Sequence, residues 1–155
     1  MKTDHGNLAT PATPATPATP VSAAEVVNEF LRLIMIPDPL AASRYTAADM
    51  QIVFTGKRPM REPADCTKFN ASRYKWVKKR IERTDTVLAT PEEAARSETV
   101  VYSLGTLYGE WPDGTPFEGN RYVDRYVVRN GLITQMGVWN DSAEWMLVRA
   151  GLAKL

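Results

Sequence analysis

The chain has one cysteine, Cys66, and one histidine, His5, in 155 residues. A single thiol excludes a disulfide within the chain and a cysteine-pair zinc site. His5 falls in a stretch that reads as a tail, so a Ser-His-Asp or Cys-His centre and a histidine metal site are excluded from the folded part. Long apolar runs are lacking too. No segment approaches the roughly 20 residues that span a bilayer, and the opening "MKTDHGNLAT" has no secretory apolar core. A cytoplasmic protein is expected, without membrane attachment. Nor is there an excess of charge of one sign: 19 Lys and Arg face 18 Asp and Glu, for a net charge of +1. The whole-chain field therefore gives no pull toward nucleic acid. If the protein is catalytic, carboxylates, tyrosines, asparagines or bound water move the protons, and neither metal nor cofactor is expected.

Hydrophobic residues make up 44% of the chain and charged residues 24%, enough for one domain with a core. Residues 10–20, "TPATPATPATP", carry Pro at every third position, which favours extended polyproline II over a packed element. A flexible tail over 1–20 and a single domain over 21–155 follow. Ser22 with Glu25 is a capping-box pair. Behind it Val26, Val27, Phe30, Leu33 and Ile34 recur at helical spacing, until Pro37 stops the helix. Asp38-Pro39 starts a second short helix reaching about Tyr45. "DMQIVFTG" reads as a strand with Ile52 and Phe54 on one face. After the link "GKRPMREP", residues 64–80 read as a helix that buries Trp76 and Val77 and exposes Arg73, Lys75, Lys78, Lys79 and Arg80 as a solvated basic end. Beyond Ile81 the period becomes two. "ERTDTVLAT" and "SETVVYSLGTLYGEW" are strands, Pro112-Asp113-Gly114 is a turn, and strands over 117–129 and 132–140 flank the Asn130-Gly131 hairpin signal. Asp141 with Glu144 reads as the cap of a last helix. Helices followed by a meander of antiparallel strands give an α+β class, with helices covering one face of a curved sheet.

In "NRYVDRYVVRNGLI" Arg121, Arg125 and Arg129 fall on one face of the strand, and Tyr122, Asp124 and Tyr126 on the other. The order of elements and the ending "DRYVVRNGLITQMGVWND" resemble the nuclear transport factor 2-like superfamily, in particular its SnoaL-like branch, related to ketosteroid isomerase and limonene epoxide hydrolase. The resemblance covers residues 21–150. It implies a cone-shaped half barrel with a pocket between sheet and helices, and a homodimer packed through the sheets. The site plans of these relatives do not transfer. "MQIVFTG" offers no carboxylate where ketosteroid isomerase has its base. "VVYSLGTLY" has no Arg-x-Asp, the second aspartate of limonene epoxide hydrolase falls near Val138, and the histidine of SnoaL-type cyclases is missing from the domain.

In such a cone the three arginines face outward and Asp124 points inward among aromatic rings. A lone buried carboxylate finds partners or takes up a proton, and a raised pKa suits acid–base work near neutrality. Asp124 is accordingly the candidate acid or base, with Tyr122 and Tyr126 as hydroxyl donors to a developing oxyanion. Asn140, Val138, Met136, Tyr102, Phe54, Phe30, Trp76 and Trp111 are the candidate ligand-binding residues. The alternative for Asp124 is a structural role, held by tyrosine hydroxyls, by Arg121 or Arg125, or by water. The function expected is a pocket for a small, largely apolar molecule, with cofactor-free isomerisation, cyclisation or hydration if catalytic. A non-catalytic ligand-binding or protein-interaction module on the same fold is the rival.

Overall fold

The computed structural model describes residues 21–154; the Pro-repeat and His5 lie outside the described residues. The chain begins with α1 (Ala23–Met35), where Ser22 and Glu25 form a reciprocal capping box. The α1 stripe of Val26, Val27, Phe30 and Leu31 is buried. A one-turn α2 (Pro39–Ala42) starts on the Asp38 side chain, which accepts from the Ala41 amide, and runs into a 3-10 turn over Ser43–Tyr45. Then come β1 (Thr46–Phe54), β2 (Arg58–Met60), α3 (Pro63–Arg73), β3 (Trp76–Val87), α4 (Pro91–Ala95), β4 (Glu98–Glu110), β5 (Pro116–Arg129), β6 (Leu132–Asn140) and α5 (Ser142–Arg149).

The strands form one sheet in the order β2-β1-β6-β5-β4-β3. Of its neighbouring pairs only β1 with β6 is parallel. The β5–β6 hairpin turns on Asn130 (φ 52°) and Gly131 (φ 76°), the conformations that an Asn-Gly turn requires. Among the described residues no helix is long and apolar enough to cross a membrane.

Three expectations are corrected. The helix expected over 64–80 ends at Arg73, and from Trp76 the chain is the edge strand β3. Lys78, Lys79 and Arg80 are therefore strand residues, and Lys79 turns inward rather than to solvent. The "GKRPMREP" link holds the short strand β2, paired with the end of β1. Asp141 precedes α5 but makes no capping bond; its carboxylate instead accepts from Arg121 at 2.6 Å.

The core divides in two. The larger cluster packs α1 against Ile52, Tyr126, Ile133, Met136 and Val138 on the concave side of the sheet. The smaller gathers Tyr74, Leu107, Trp111, Phe117 and Tyr122, with Trp111 and Phe117 ring centres 4.5 Å apart. Val123 and Trp139 face each other across β5 and β6 on the outer face, where Trp139 is 56% exposed. That is the face the resemblance assigns to a second copy.

Candidate functional site

Where the two core clusters meet, the packing leaves a cavity of about 60 Å³. Phe30, Phe54, Met136 and Val138 line it from one side, and Tyr74, Leu107 and Tyr122 from the other. Lys79, Asn70 and Asn140 supply its polar edge. At 10–15 Å³ per water centre, this holds on the order of four waters. A ligand larger than that has to extend beyond it.

The alternation of β5 holds along the candidate stretch: Tyr122, Asp124 and Tyr126 are buried, while Arg121 is exposed. Arg121, Arg125 and Arg129 pair with Asp141, Glu93 and Glu98, leaving none for Asp124. Asp124 is fully buried. Its Oδ2 accepts from the Lys79 ammonium and, at 2.9 Å, from the Tyr126 hydroxyl. Its Oδ1 has no hydrogen-bond partner. Lys79 reaches Asp124 from β3, two strands away, crossing β4 diagonally: Lys79 lies opposite Leu107, and Asp124 opposite Ser103. Its ammonium also sits 4.0 Å from the centre of the Tyr122 ring, a cation–π contact. The Lys79 side chain keeps 15% exposure and borders the cavity, whereas Asp124 and Tyr126 stand behind its wall.

A second polar group is fixed by a backbone donor. The Ser142 amide, which can only donate, hydrogen-bonds the Asn140 Oδ1 at 3.1 Å. The amide orientation is thereby set, and Nδ2 is left as the Asn140 donor. Ser142 is itself buried and accepts from Tyr74 at 2.6 Å and from Asn120 at 3.3 Å. The cavity thus offers ammonium and amide N–H groups from two sides, and no carboxylate lines it.

Ionisation of the surrounding hydroxyls and thiol is suppressed. Burial, reinforced by the Asp124 charge, pushes Tyr126 well above the ordinary phenol range. Burial takes Tyr122 up to about 12, against a lowering contribution from the Ser103 hydrogen bond. Burial and then the Asp124 charge raise Cys66 from 9.0 to about 12. Groups whose pKa rises on folding contribute stability that is complete below their unfolded values and is lost as pH rises through the folded ones. The expected result is an unfolding free energy that falls as pH climbs from about 9 toward 12. Cys66→Ala and Tyr126→Phe should each flatten that decline in denaturant titrations, and an unchanged slope in both would contradict the assignment.

The other expected ligand-binding residues lie elsewhere. Tyr102 pairs with Arg125 across β4 and β5 and shares its outer face. Trp76 is 40% exposed and packs edge-on against Tyr108. Trp111 is buried in the smaller cluster, stacked on Tyr74, away from the cavity wall. Sequence reading missed Lys79, Asn70, Tyr74 and Leu107. Lys79 shares strand parity with Val77, a relation that a helical reading of the segment conceals. Among the described residues no group of three or more His, Cys, Asp or Glu side chains is placed to hold a metal.

Neither a protein-family model nor a curated protein matches the sequence. Solved structures do. An NTF2-like protein of unknown function from Burkholderia pseudomallei superposes with a TM-score of 0.62 at 14% identity, over 83% of this chain and 97% of that one. TerC, co-crystallised with polyporic acid, gives 0.59 at 14% identity over 79% and 93%. A protein of ketosteroid isomerase-like fold from Catenulispora acidiphila, in complex with trimethylamine, gives 0.56 at 16% identity over 74% and 84%. With its curved sheet, its helices on the concave side and these neighbours, the chain has the nuclear transport factor 2-like fold.

Proposed function

We propose that this chain binds a small, largely apolar molecule through an acceptor oxygen, a carbonyl or an enolate, held at the inner end of the cone by Lys79 and Asn140. The observation that carries the reading is the Lys79 ammonium, bordering an apolar cavity and fastened by a buried carboxylate. Against apolar walls such a donor is worth more to a developing oxyanion than it would be in open solvent. Two neighbours of the same fold, TerC and the Catenulispora protein, were crystallised with small organic molecules, which supports a pocket role. The chemistry the constellation supports is cofactor-free proton transfer at a carbonyl, as in isomerisation, cyclisation or hydration: solvent water takes the α-proton while Lys79 and Asn140 hold the enolate oxygen that forms. Asp124 acts through Lys79, by holding the ammonium in place.

4-Nitrophenol tests this, because its phenolate is coloured. Bound phenol should ionise about one pH unit lower than free phenol, the size of shift a nearby cation produces. Lys79→Met should remove the shift, and Asn140→Ala should weaken binding by about 1 kcal/mol. An unshifted phenol in the unmodified protein would sink the reading. Binding without catalysis is the second reading, favoured by the absence of any carboxylate from the cavity wall. Wash-out of α-deuterium from cyclohexanone, followed by mass spectrometry, separates the two. Exchange abolished by Lys79→Met supports proton transfer, and exchange at the buffer rate supports binding alone.

A further inference from the structure

The 60 Å³ cavity shares part of its wall with a neighbouring space of about 260 Å³: Ile34, Met35, Asn70, Tyr74, Val77 and Lys78 are common to both. Met35, at the C-terminal end of α1, stands between them, its sulfur accepting from the Lys79 backbone amide at 3.1 Å. A methionine is the most adaptable apolar side chain for such a partition, since its thioether chain moves at little cost. The outer space carries Trp76, half-exposed at its rim, together with Lys75 and Lys78.

Charge decides what such a space can hold. Lys75 is paired with Glu110 at 2.8 Å, whereas Lys78, exposed, makes no ion pair among the described residues. No aspartate or glutamate lines either space, and three lysines do. Asp124 and Glu110 already compensate Lys79 and Lys75, so the uncompensated positive charge beside these apolar spaces is that of Lys78. A neutral apolar ligand would leave the Lys78 ammonium unused. An anionic one meets it at the mouth, where a long lysine side chain keeps its charged end in water.

We propose that the two spaces form one binding channel for an elongated, planar organic acid. Its acceptor oxygen enters the inner cavity, its flat apolar body passes Met35 and lies along Trp76, and its anionic group ends at Lys78. This rests on the inner cavity taking an acceptor oxygen, and it names the substrate class for that site: an aromatic or polyunsaturated carboxylate or sulfonate rather than a neutral hydrocarbon-like ketone.

The test uses two fluorescent probes of the same shape, 8-anilinonaphthalene-1-sulfonate and its uncharged counterpart N-phenyl-1-naphthylamine, with the full chain at low ionic strength. The sulfonate should bind more tightly than the neutral probe. Lys78→Glu should weaken the sulfonate about tenfold and leave the neutral probe within about twofold, because opposing charge is what the substitution reverses. Added salt should weaken sulfonate binding to the unmodified protein and far less to the variant. Trp76→Ala should weaken both probes, whereas Trp139→Ala, on the outer sheet face, should change neither. Equal binding of the two probes, indifference of the sulfonate to Lys78→Glu, or sensitivity to Trp139 in place of Trp76 overturns the channel. The inner and outer sites answer to different probes. If 4-nitrophenol still depends on Lys79 while the sulfonate ignores Lys78, the outer assignment alone falls. If the reverse holds, the outer site stands and the inner one falls.

Discussion

Asp124→Ala should destabilise the fold by about 3 kcal/mol, near the lower end of the range for removing one partner of a buried ion pair. The cost arises from what stays behind. The Lys79 ammonium loses its carboxylate, and the Tyr126 hydroxyl, buried in the larger core cluster, loses its acceptor. An orphaned hydroxyl of this kind costs about 1–3 kcal/mol by itself. The figure stays near the lower end because Lys79 is not sealed in; it borders the cavity and can draw water to its charge. The complementary experiment removes the whole constellation. Asp124→Leu, Lys79→Met and Tyr126→Phe together leave no unpaired polar group, and replacing a buried pair by apolar residues of similar volume is often close to neutral. The triple variant should therefore lie within about 1 kcal/mol of the parent in urea denaturation, while failing to shift 4-nitrophenol. A neutral Asp124→Ala would mean that the ion pair contributes nothing, and the positioning role given to Asp124 would go with it.

This outcome differs from what the sequence suggests for Asp124, and the difference has a physical origin. Strand parity around Tyr122, Asp124 and Tyr126 is legible because a half-buried strand in the middle of a sheet alternates cleanly, and an Asn-Gly turn closes its hairpin. The partner is illegible for the opposite reason. β3 is an edge strand with little burial on either face, so its period of two is masked. Lys and Arg are good helix formers and common edge-strand residues alike. "RYKWVKKRIER" accordingly reads as a basic helix end, and the one lysine of that run that turns inward cannot be told from its neighbours. Tyr102 fails on register: Ser103, not Tyr102, stands opposite Asp124. Trp111 fails because burial alone does not say which cluster a ring joins. The cone was thus readable from the central strands and the capped α1. The chemistry of its inner end depends on the edge strand, where local pattern is weakest.

What brings that edge strand over the sheet is a pair of missing side chains, and they carry the second large effect. Val77 lies opposite Gly109, Lys79 opposite Leu107, and Ile81 opposite Gly105. A β-carbon on Gly109 would sit 2.2 Å from the Trp76 carbonyl oxygen and 3.0 Å from the Val77 Cα. One on Gly105 would sit 2.0 Å from the Arg80 carbonyl oxygen. Both obstacles are backbone, so no rotamer change relieves them; β3 itself has to move away. The two glycines bracket Leu107, the residue facing Lys79, so they let β3 close over the cavity on either side of it. Beside Gly105 the β3 register shifts between Ile81 and Arg83, a bulge that bends the strand further. Gly109→Ala should therefore cost about 2–3 kcal/mol, at the upper end of overpacking costs. It should also draw Lys79 off Asp124, removing the 4-nitrophenol shift in whatever fraction remains folded. Gly114→Ala serves as the control. Its β-carbon would meet nothing within 4 Å, although its φ of 84° strains any L-residue, so it should lower stability while leaving the phenol shift intact. If Gly109→Ala loses stability but keeps the shift, Lys79 does not owe its position to the close approach of the two strands.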